Sequence, residues 1–177
     1  AGMPKDWAPL VYCWRGGKRS GTLTWLLREI GFDAKQLAGG YKAFRARVNA
    51  ELPQLAQRFR YVTICGCTGT GKTALLTALA DAGAQVIDLE GLANHRGSLL
   101  GARDTPQPSQ KRFDTLLWNA LRTLDPARPV FVESESKKIG LVQMPDAMRE
   151  QMSTGECVWL EVPLAARVAH IATEYAH

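Results

Sequence analysis

The sequence predicts an α/β protein of two consecutive units built on parallel strands, and three observations carry that expectation. First, the strand-like YVTIC (61–65) runs through the glycine loop GCTGTGKT (66–73) into the helix-like ALLTALADA (74–82), and AQVIDLE (84–90) follows as a second strand, the order of a βαβ unit. Second, the same alternation continues beyond it, with the amphipathic QKRFDTLLWNALRTL (110–124), the apolar PVFVESES (129–136), PDAMREQMSTG (145–155) and ECVWLEV (156–162). Third, a separate strand, loop and helix open the chain, from LVYC (10–13) through a basic glycine loop to GTLTWLLREI (21–30).

Taken in order, LVYC is short and apolar enough for a buried strand. Ser20 is placed to cap the following helix, whose Leu23, Leu26, Leu27 and Ile30 keep helical spacing, and Gly31 ends it. FDAKQLAGGY (32–41) holds a glycine pair. The polar, cationic KAFRARVNAELPQLAQRFR (42–60) bridges to the second unit as a helix broken near Pro53. Gly83 stops the helix after the glycine loop, and Asp125-Pro126 stops the amphipathic one. LAARVAHIATEYAH (164–177) reads as a last helix. The boundaries that result are 1–45 for the first unit, 46–59 for a linker and 60–177 for the second. One strand and one helix around Cys13 cannot close a core, because a parallel sheet needs neighbouring strands and covering helices. The expectation is therefore an excerpt that begins partway through its first domain and stops before its second is finished.

Composition bounds the function. Of 177 residues, 46% are hydrophobic and 8% aromatic, which is globular and not disordered. No apolar run reaches the roughly 18–20 residues of a membrane span, and AGMPKDWAP lacks the grading of a signal peptide, so a soluble, cytoplasmic protein is expected. Cys13, Cys65, Cys67 and Cys157 are too few and scattered for a disulfide framework, and without a C-x-x-C pair they lack the usual half of a zinc site. A net charge of +5 tilts the partners towards anions.

GCTGTGKT matches G-x-x-x-x-G-K-[ST] between a strand and a helix. Gly66, Gly69 and Gly71 let the backbone approach phosphate oxygens, Lys72 neutralises them, and Thr73 offers a hydroxyl to Mg²⁺. The carboxylate such a metal needs comes from Asp88, closing AQVIDLE, or from Glu133 and Glu135, closing PVFVESES. Either set has the alternative of capping a turn or pairing with Lys137 or Lys138. The cradle recognises a diphosphate, so ATP, GTP and an organic diphosphate all fit. Cys13 precedes a helix and stands among Arg15, Lys18 and Arg19, surroundings that lower a thiol's pKa, while Gly16 and Gly17 let the loop curl around an anionic sulfur. Cys13 to Arg19 is also C-x5-R, the spacing of cysteine phosphatases, although Tyr12 stands where those enzymes carry histidine.

YCWRGGKRSG (12–21) with LAGGYKAFR (37–45) resembles the catalytic half of a rhodanese domain. TICGCTGTGKTALLTALADAGAQVIDLEGLANHRGS (63–98) with VESESKKIG (132–140) resembles the P-loop domain joined to it in the tRNA 2-selenouridine synthases, and DLEGLANHRGS (88–98) is the most distinctive piece. The resemblance implies the C-terminal half of a rhodanese-like domain followed by a P-loop NTPase-like parallel α/β domain. It implies a transferase acting on the wobble 2-thiouridine of tRNA, with geranyl diphosphate as donor for a geranylated intermediate and selenophosphate as donor of the selenium that replaces it. Cys13 then serves the selenium step in a cradle shaped by Arg15 and Arg19. Gly66, Gly69, Gly71, Lys72 and Thr73 hold a diphosphate, and Asp88, His95 and Arg96 line a second site. His95 is equally readable as a solvated loop residue. Basic stretches at 42–47, 58–60, 111–112 and 137–138 are candidate contacts to tRNA phosphates, with Phe44 and Phe59 read as packing residues. Two rivals stay open: a P-loop ATPase or kinase with an inert rhodanese-like module, and a Cys-x5-Arg phosphatase on a rhodanese fold.

Overall fold

The structure, a computed structural model, describes residues 3–4, 6–97, 101 and 104–174, so Ser98 and the last three residues of the expected terminal helix lie outside the described residues. The chain folds as two compact units, residues 1–50 and 51–177.

In the first unit, β1 (Leu10–Val11) pairs in parallel with β2 (Lys35–Gln36), Leu10 opposite Lys35 and Val11 opposite Gln36. Between them lies α1 (Lys18–Glu29). Its N-cap is Gly17, in the left-handed conformation at φ 73°, and not Ser20 as the sequence suggested. Ser20 sits inside the first turn, where its hydroxyl donates back to the Gly17 carbonyl (3.1 Å). The residues α1 buries are Ser20 and Thr24, whereas Leu23, Leu26 and Ile30 stay about half exposed or more. Two strands of two residues each offer too little surface to cover that apolar stripe.

The helix α2 (Gly40–Ala56) starts in the first unit and ends in the second. It occupies most of the expected linker and runs through Pro53 without a break. The glycine pair before it has a steric reason. Gly40 takes φ 60°, and a Cβ there would collide with the Cys13 carbonyl oxygen, which accepts from the Tyr41 amide at 2.9 Å.

The second unit is a four-stranded parallel sheet in the order β4-β5-β3-β8, comprising β3 (Tyr61–Cys65), β4 (Gln85–Ile87), β5 (Val130–Glu133) and β8 (Glu156–Trp159). Strand β3 is central because Tyr61, Val62, Thr63 and Ile64 are all buried, as a strand covered on both faces requires. The helices are α3 (Lys72–Asp81), α4 (Leu89–Ala93), α5 (Gln110–Arg122), α6 (Asp146–Thr154) and α7 (Leu164–Glu174). A small antiparallel hairpin of β6 (Lys138–Ile139) and β7 (Val142–Gln143) precedes α6. In α5, Phe113, Leu117, Trp118 and Leu121 fall on one face and are buried, and the Trp118 indole donates to Glu51 (2.9 Å) while Arg122 lies 4.3 Å over its ring.

Because β3 and β8 run side by side, Cys65 and Cys157, 92 residues apart, come within 6.3 Å between Cα atoms and form a disulfide. Scattered spacing in the sequence concealed that pairing, and Cys13 and Cys67 are the free cysteines among the described residues. No helix among them is long and apolar enough to cross a membrane.

Candidate functional site

The sheet order brings the phosphate loop and the carboxylate strand together. β3 ends at Cys65 and the loop turns through Gly66 to Gly71, whose left-handed φ of 80° starts α3, so the first amides of α3 face the loop's hollow. Lys72 curls its ammonium onto the Gly66 and Cys67 carbonyls (3.0 and 3.4 Å). Thr73 points across to the neighbouring strand, where its hydroxyl donates to Glu133 Oε2 at 3.2 Å. That contact follows from the register, since Ile64, two residues before the loop, lies opposite Glu133.

The hollow is a cavity of about 460 Å³ lined by Gly66, Gly69, Gly71, Lys72 and Thr73 on one side, and by Glu90, Arg96, Glu133, Glu135 and His170 among others on the rest. Every predicted residue of the phosphate loop thus faces one space. Of the residues predicted for a second site, Arg96, Glu133 and Glu135 line it, and Asp88 and His95 do not. Asp88 caps α4, accepting the Gly91 amide at 2.7 Å, and His95 stands outside with a buried Nδ1 that has no hydrogen-bond partner.

The wall opposite Lys72 is acidic. Glu133 is 1% exposed and its Oε1 has no partner. Burial first, then repulsion from Glu90, Asp88 and Glu135, pushes its pKa up to about 8, against the opposing Thr73 hydrogen bond. Burial and Glu90 likewise raise Glu135 to about 7, with Lys72 pulling it back. Glu90, from α4, accepts the Gly97 amide at 2.5 Å. One carboxylate oxygen from each of Glu90, Glu133 and Glu135 lies within 4.8 Å of the others. An orphaned, buried carboxylate oxygen at the centre of such a cluster fits a hard divalent cation, which prefers oxygen ligands of this kind.

The sequence reading missed two contributors. Glu90 lies inside the distinctive stretch at 88–98 but carries no signal by itself. The other comes from α7, where Arg167 Nε donates to the Thr68 carbonyl (3.0 Å), and a Cβ on Gly69, at φ 80°, would stand 2.7 Å from Ile171 and 2.8 Å from the Arg167 carbonyl. One turn beyond Arg167, His170 enters the cavity. No local motif announces a helix that docks on a loop nearly a hundred residues earlier.

In the first unit, Cys13 is half-buried at the end of the β1 segment, and the Ser20 hydroxyl donates to its sulfur at 3.4 Å. Its pKa is lowered chiefly by the Ser20 hydroxyl and the Ser20 amide, then by the Gly17 amide, and last by the charge of Arg19. The donors at the helix start therefore outweigh the cations that the sequence brought forward. Among the candidate phosphate contacts, Lys137 is tied to Asp146 (2.9 Å) and Arg60 to Glu156 (3.8 Å), while Phe59 is buried.

Comparison with known proteins completes the picture. The family model described as the tRNA 2-selenouridine synthase AAA domain matches residues 59–177. Proteins named tRNA 2-selenouridine synthase align with 94% of the chain, at 37% identity in Nitrosomonas europaea, 39% in Sulfurovum sp. and 41% in Pseudomonas fluorescens. The chain spans 44–45% of the length of these relatives. With the phosphate loop, the stretch at 88–97 and the facing carboxylates all inside the matched region, the chain belongs to the tRNA 2-selenouridine synthase family.

Proposed function

We propose that the chain is part of a transferase that replaces sulfur by selenium in the wobble 2-thiouridine of tRNA through a geranylated intermediate, with geranyl diphosphate and selenophosphate as donors. The relatives' names support tRNA and selenium. The observation that carries the diphosphate assignment is the cavity at the phosphate loop, where Lys72 and the first amides of α3 gather at one end and Ala74 is, among the described residues, the sole apolar side chain of the lining. Such a lining selects a diphosphate head and not the group esterified to it.

In the first step the nucleoside's sulfur attacks the allylic carbon of geranyl diphosphate, the carbon–oxygen bond breaks, and the diphosphate departs with the electron pair. Nothing is transferred to water. The charge that grows on the departing oxygens is met by Lys72 and the helix amides. In the second step the selenium of selenophosphate attacks the ring carbon that bears the geranylthio group, the carbon–sulfur bond breaks as geranylthiol leaves, and hydrolysis of the selenium–phosphorus bond releases phosphate. Cys13, read as the cysteine of a rhodanese-like catalytic loop, serves that step as a readily ionised thiol flanked by Arg15 and Arg19. A tRNA substrate places the work in the cytoplasm.

Mass spectrometry of tRNA nucleosides from cells with and without the gene tests the reading. Loss of 2-selenouridine is expected, and an unchanged profile overturns it. Lys72→Ala in the intact gene product is expected to slow geranylation by roughly 10² to 10³, while Cys13→Ala stops selenation and spares geranylation. A nucleotide-hydrolysing reading has one observation in its favour, the Thr73–Glu133 hydrogen bond, an arrangement that also suits the metal of a bound nucleotide. ATP hydrolysis stimulated by tRNA, with geranylation indifferent to Lys72, would promote it to first place.

A further inference from the structure

We infer that Trp14, backed by Tyr41, is a stacking platform for the tRNA base on which Cys13 acts. The inference deepens the proposed function and rests on its tRNA reading. Trp14 follows Cys13 directly in the chain and is 56% exposed, and Tyr12, on the other side of the cysteine, is 60% exposed. Two exposed rings flanking one thiol add little to the unit's own core. Trp14 is nevertheless firmly held. Its ring stacks on Tyr41 at 5.2 Å between centroids and 28° between planes, and Phe44 lies against Tyr41 at 6.2 Å. The start of α2 fixes that stack to the cysteine loop, because the Tyr41 amide donates to the Cys13 carbonyl (2.9 Å) and the Lys42 amide to the Trp14 carbonyl (3.1 Å). Gly40 makes the approach possible, since a Cβ there would strike the Cys13 carbonyl. One face of the indole is thus occupied by Tyr41, and the other is open to solvent.

The surroundings select the occupant. No acidic residue stands between Leu10 and Arg28 or between Gly40 and Ala50, whereas Arg15, Lys18, Arg19 and Lys42 are exposed in those segments. An open aromatic face among cations is the arrangement that holds single-stranded RNA, the ring taking a base and the cations its phosphates. An isoprenoid chain is served better by an enclosing apolar groove, which this exposed face is not. Adjacency then decides which base. Cys13 and Trp14 are neighbours, about 3.8 Å apart between Cα atoms, so a base lying on the indole is held within a side chain's length of the sulfur. The base worked on in the selenium step has to be brought there unstacked from its loop neighbours, and the indole replaces the stacking it gives up.

The probe is an anticodon stem-loop RNA carrying 2-thiouridine at the wobble position, and the measurement is its affinity for the intact gene product, wild type and Trp14→Leu. Loss of the ring is expected to weaken binding by about tenfold, within the range of one base on one aromatic side chain. The slope of affinity against salt should stay unchanged, because a stack releases no counterions. An abasic wobble position should cost the wild type about as much and the variant little further, whereas an abasic neighbouring position should cost both equally. Trp14→Phe should keep most of the affinity. A second measurement needs no variant: 5-iodouridine at the wobble position, irradiated in the wild-type complex, should attach the RNA to Trp14. Affinity indifferent to Trp14→Leu, losses that simply add, or attachment mapped to other residues overturns the inference and spares the tRNA reading. If Trp14→Leu weakens binding of the S-geranylated stem-loop alone, with the thiolated one bound as before, the ring serves the geranyl chain and the inference is likewise overturned. A wild-type protein that binds no stem-loop at any salt concentration overturns the tRNA reading itself, and the stack with it.

Discussion

Cys13 shows how a single residue was half legible. The cations around it and its place before a helix are written in VYCWRGGKRS, and they point correctly to a lowered pKa. The chief cause is not written there. Ser20, expected as a cap, is carried inside the first turn because Gly17 takes the left-handed capping conformation, and that shift puts both its hydroxyl and its amide against the sulfur. Hydrogen bonds to the charged form act at contact distance, whereas the charge of Arg19 is screened by water at an exposed loop. Ser20→Ala is therefore expected to raise the thiol's pKa. The sign follows directly: less thiolate at neutral pH means that alkylation of Cys13 at pH 7 slows severalfold, and the two proteins converge at alkaline pH where both thiols are ionised. Arg19→Gln should move the profile less. Peptide mapping after iodoacetamide treatment distinguishes Cys13 from the exposed Cys67, and a larger effect from Arg19 than from Ser20 would reverse the assignment.

Among the elements, those with strong periodicity or punctuation were legible. The strand at 61–65, the helix after the phosphate loop and the amphipathic helix at 110–122 occur where apolar spacing, glycines and Asp125-Pro126 place them. Elements fixed by long-range packing were not. The five-residue α4 is held by the Asp88 cap, and the β6–β7 hairpin by Gln107 and Gln110, whose side chains bond its backbone from more than thirty residues away. The disulfide between Cys65 and Cys157 likewise follows from strand order and not from spacing. Helix α7 has the greatest consequence for the site, since its contact with Gly69 and Thr68 is what brings His170 into the cavity. Gly69→Ala tests that docking. It places a side chain on a left-handed residue, costing roughly 1–2 kcal/mol, and drives its Cβ into Ile171 and the Arg167 carbonyl. The expected outcome is faster hydrogen exchange across 164–174 together with pyrophosphate binding weakened about tenfold or more. Weaker binding with α7 still protected would mean that the glycine serves the loop alone.

At the scale of the whole molecule, the question is what an excess of five positive charges does. Net charge cannot locate a surface, and part of the basic complement is already committed. Lys137 is bonded to Asp146 and Arg60 approaches Glu156, so both offer less to an external phosphate than their sequence positions suggested. On α2, Lys42 and Arg45 stand three residues apart and share a face, where one length of phosphate backbone can meet both, whereas Arg47 lies about 200° round the helix from Arg45. Arg45 also holds Asn49 at 2.9 Å, a contact that fixes its direction without removing its charge. If this helix engages tRNA, each phosphate neutralised releases condensed counterions. The logarithm of affinity must then fall with the logarithm of salt by about 0.7 to 0.9 per phosphate. Reversing Lys42 and Arg45 to Glu removes the local attraction and adds repulsion, so the slope should drop by roughly one to two and affinity at low salt by about tenfold or more. Reversing Lys137, already paired, should change the slope less. Filter binding of unmodified tRNA over a range of salt concentrations measures both quantities, and an affinity independent of salt would remove RNA from this helix.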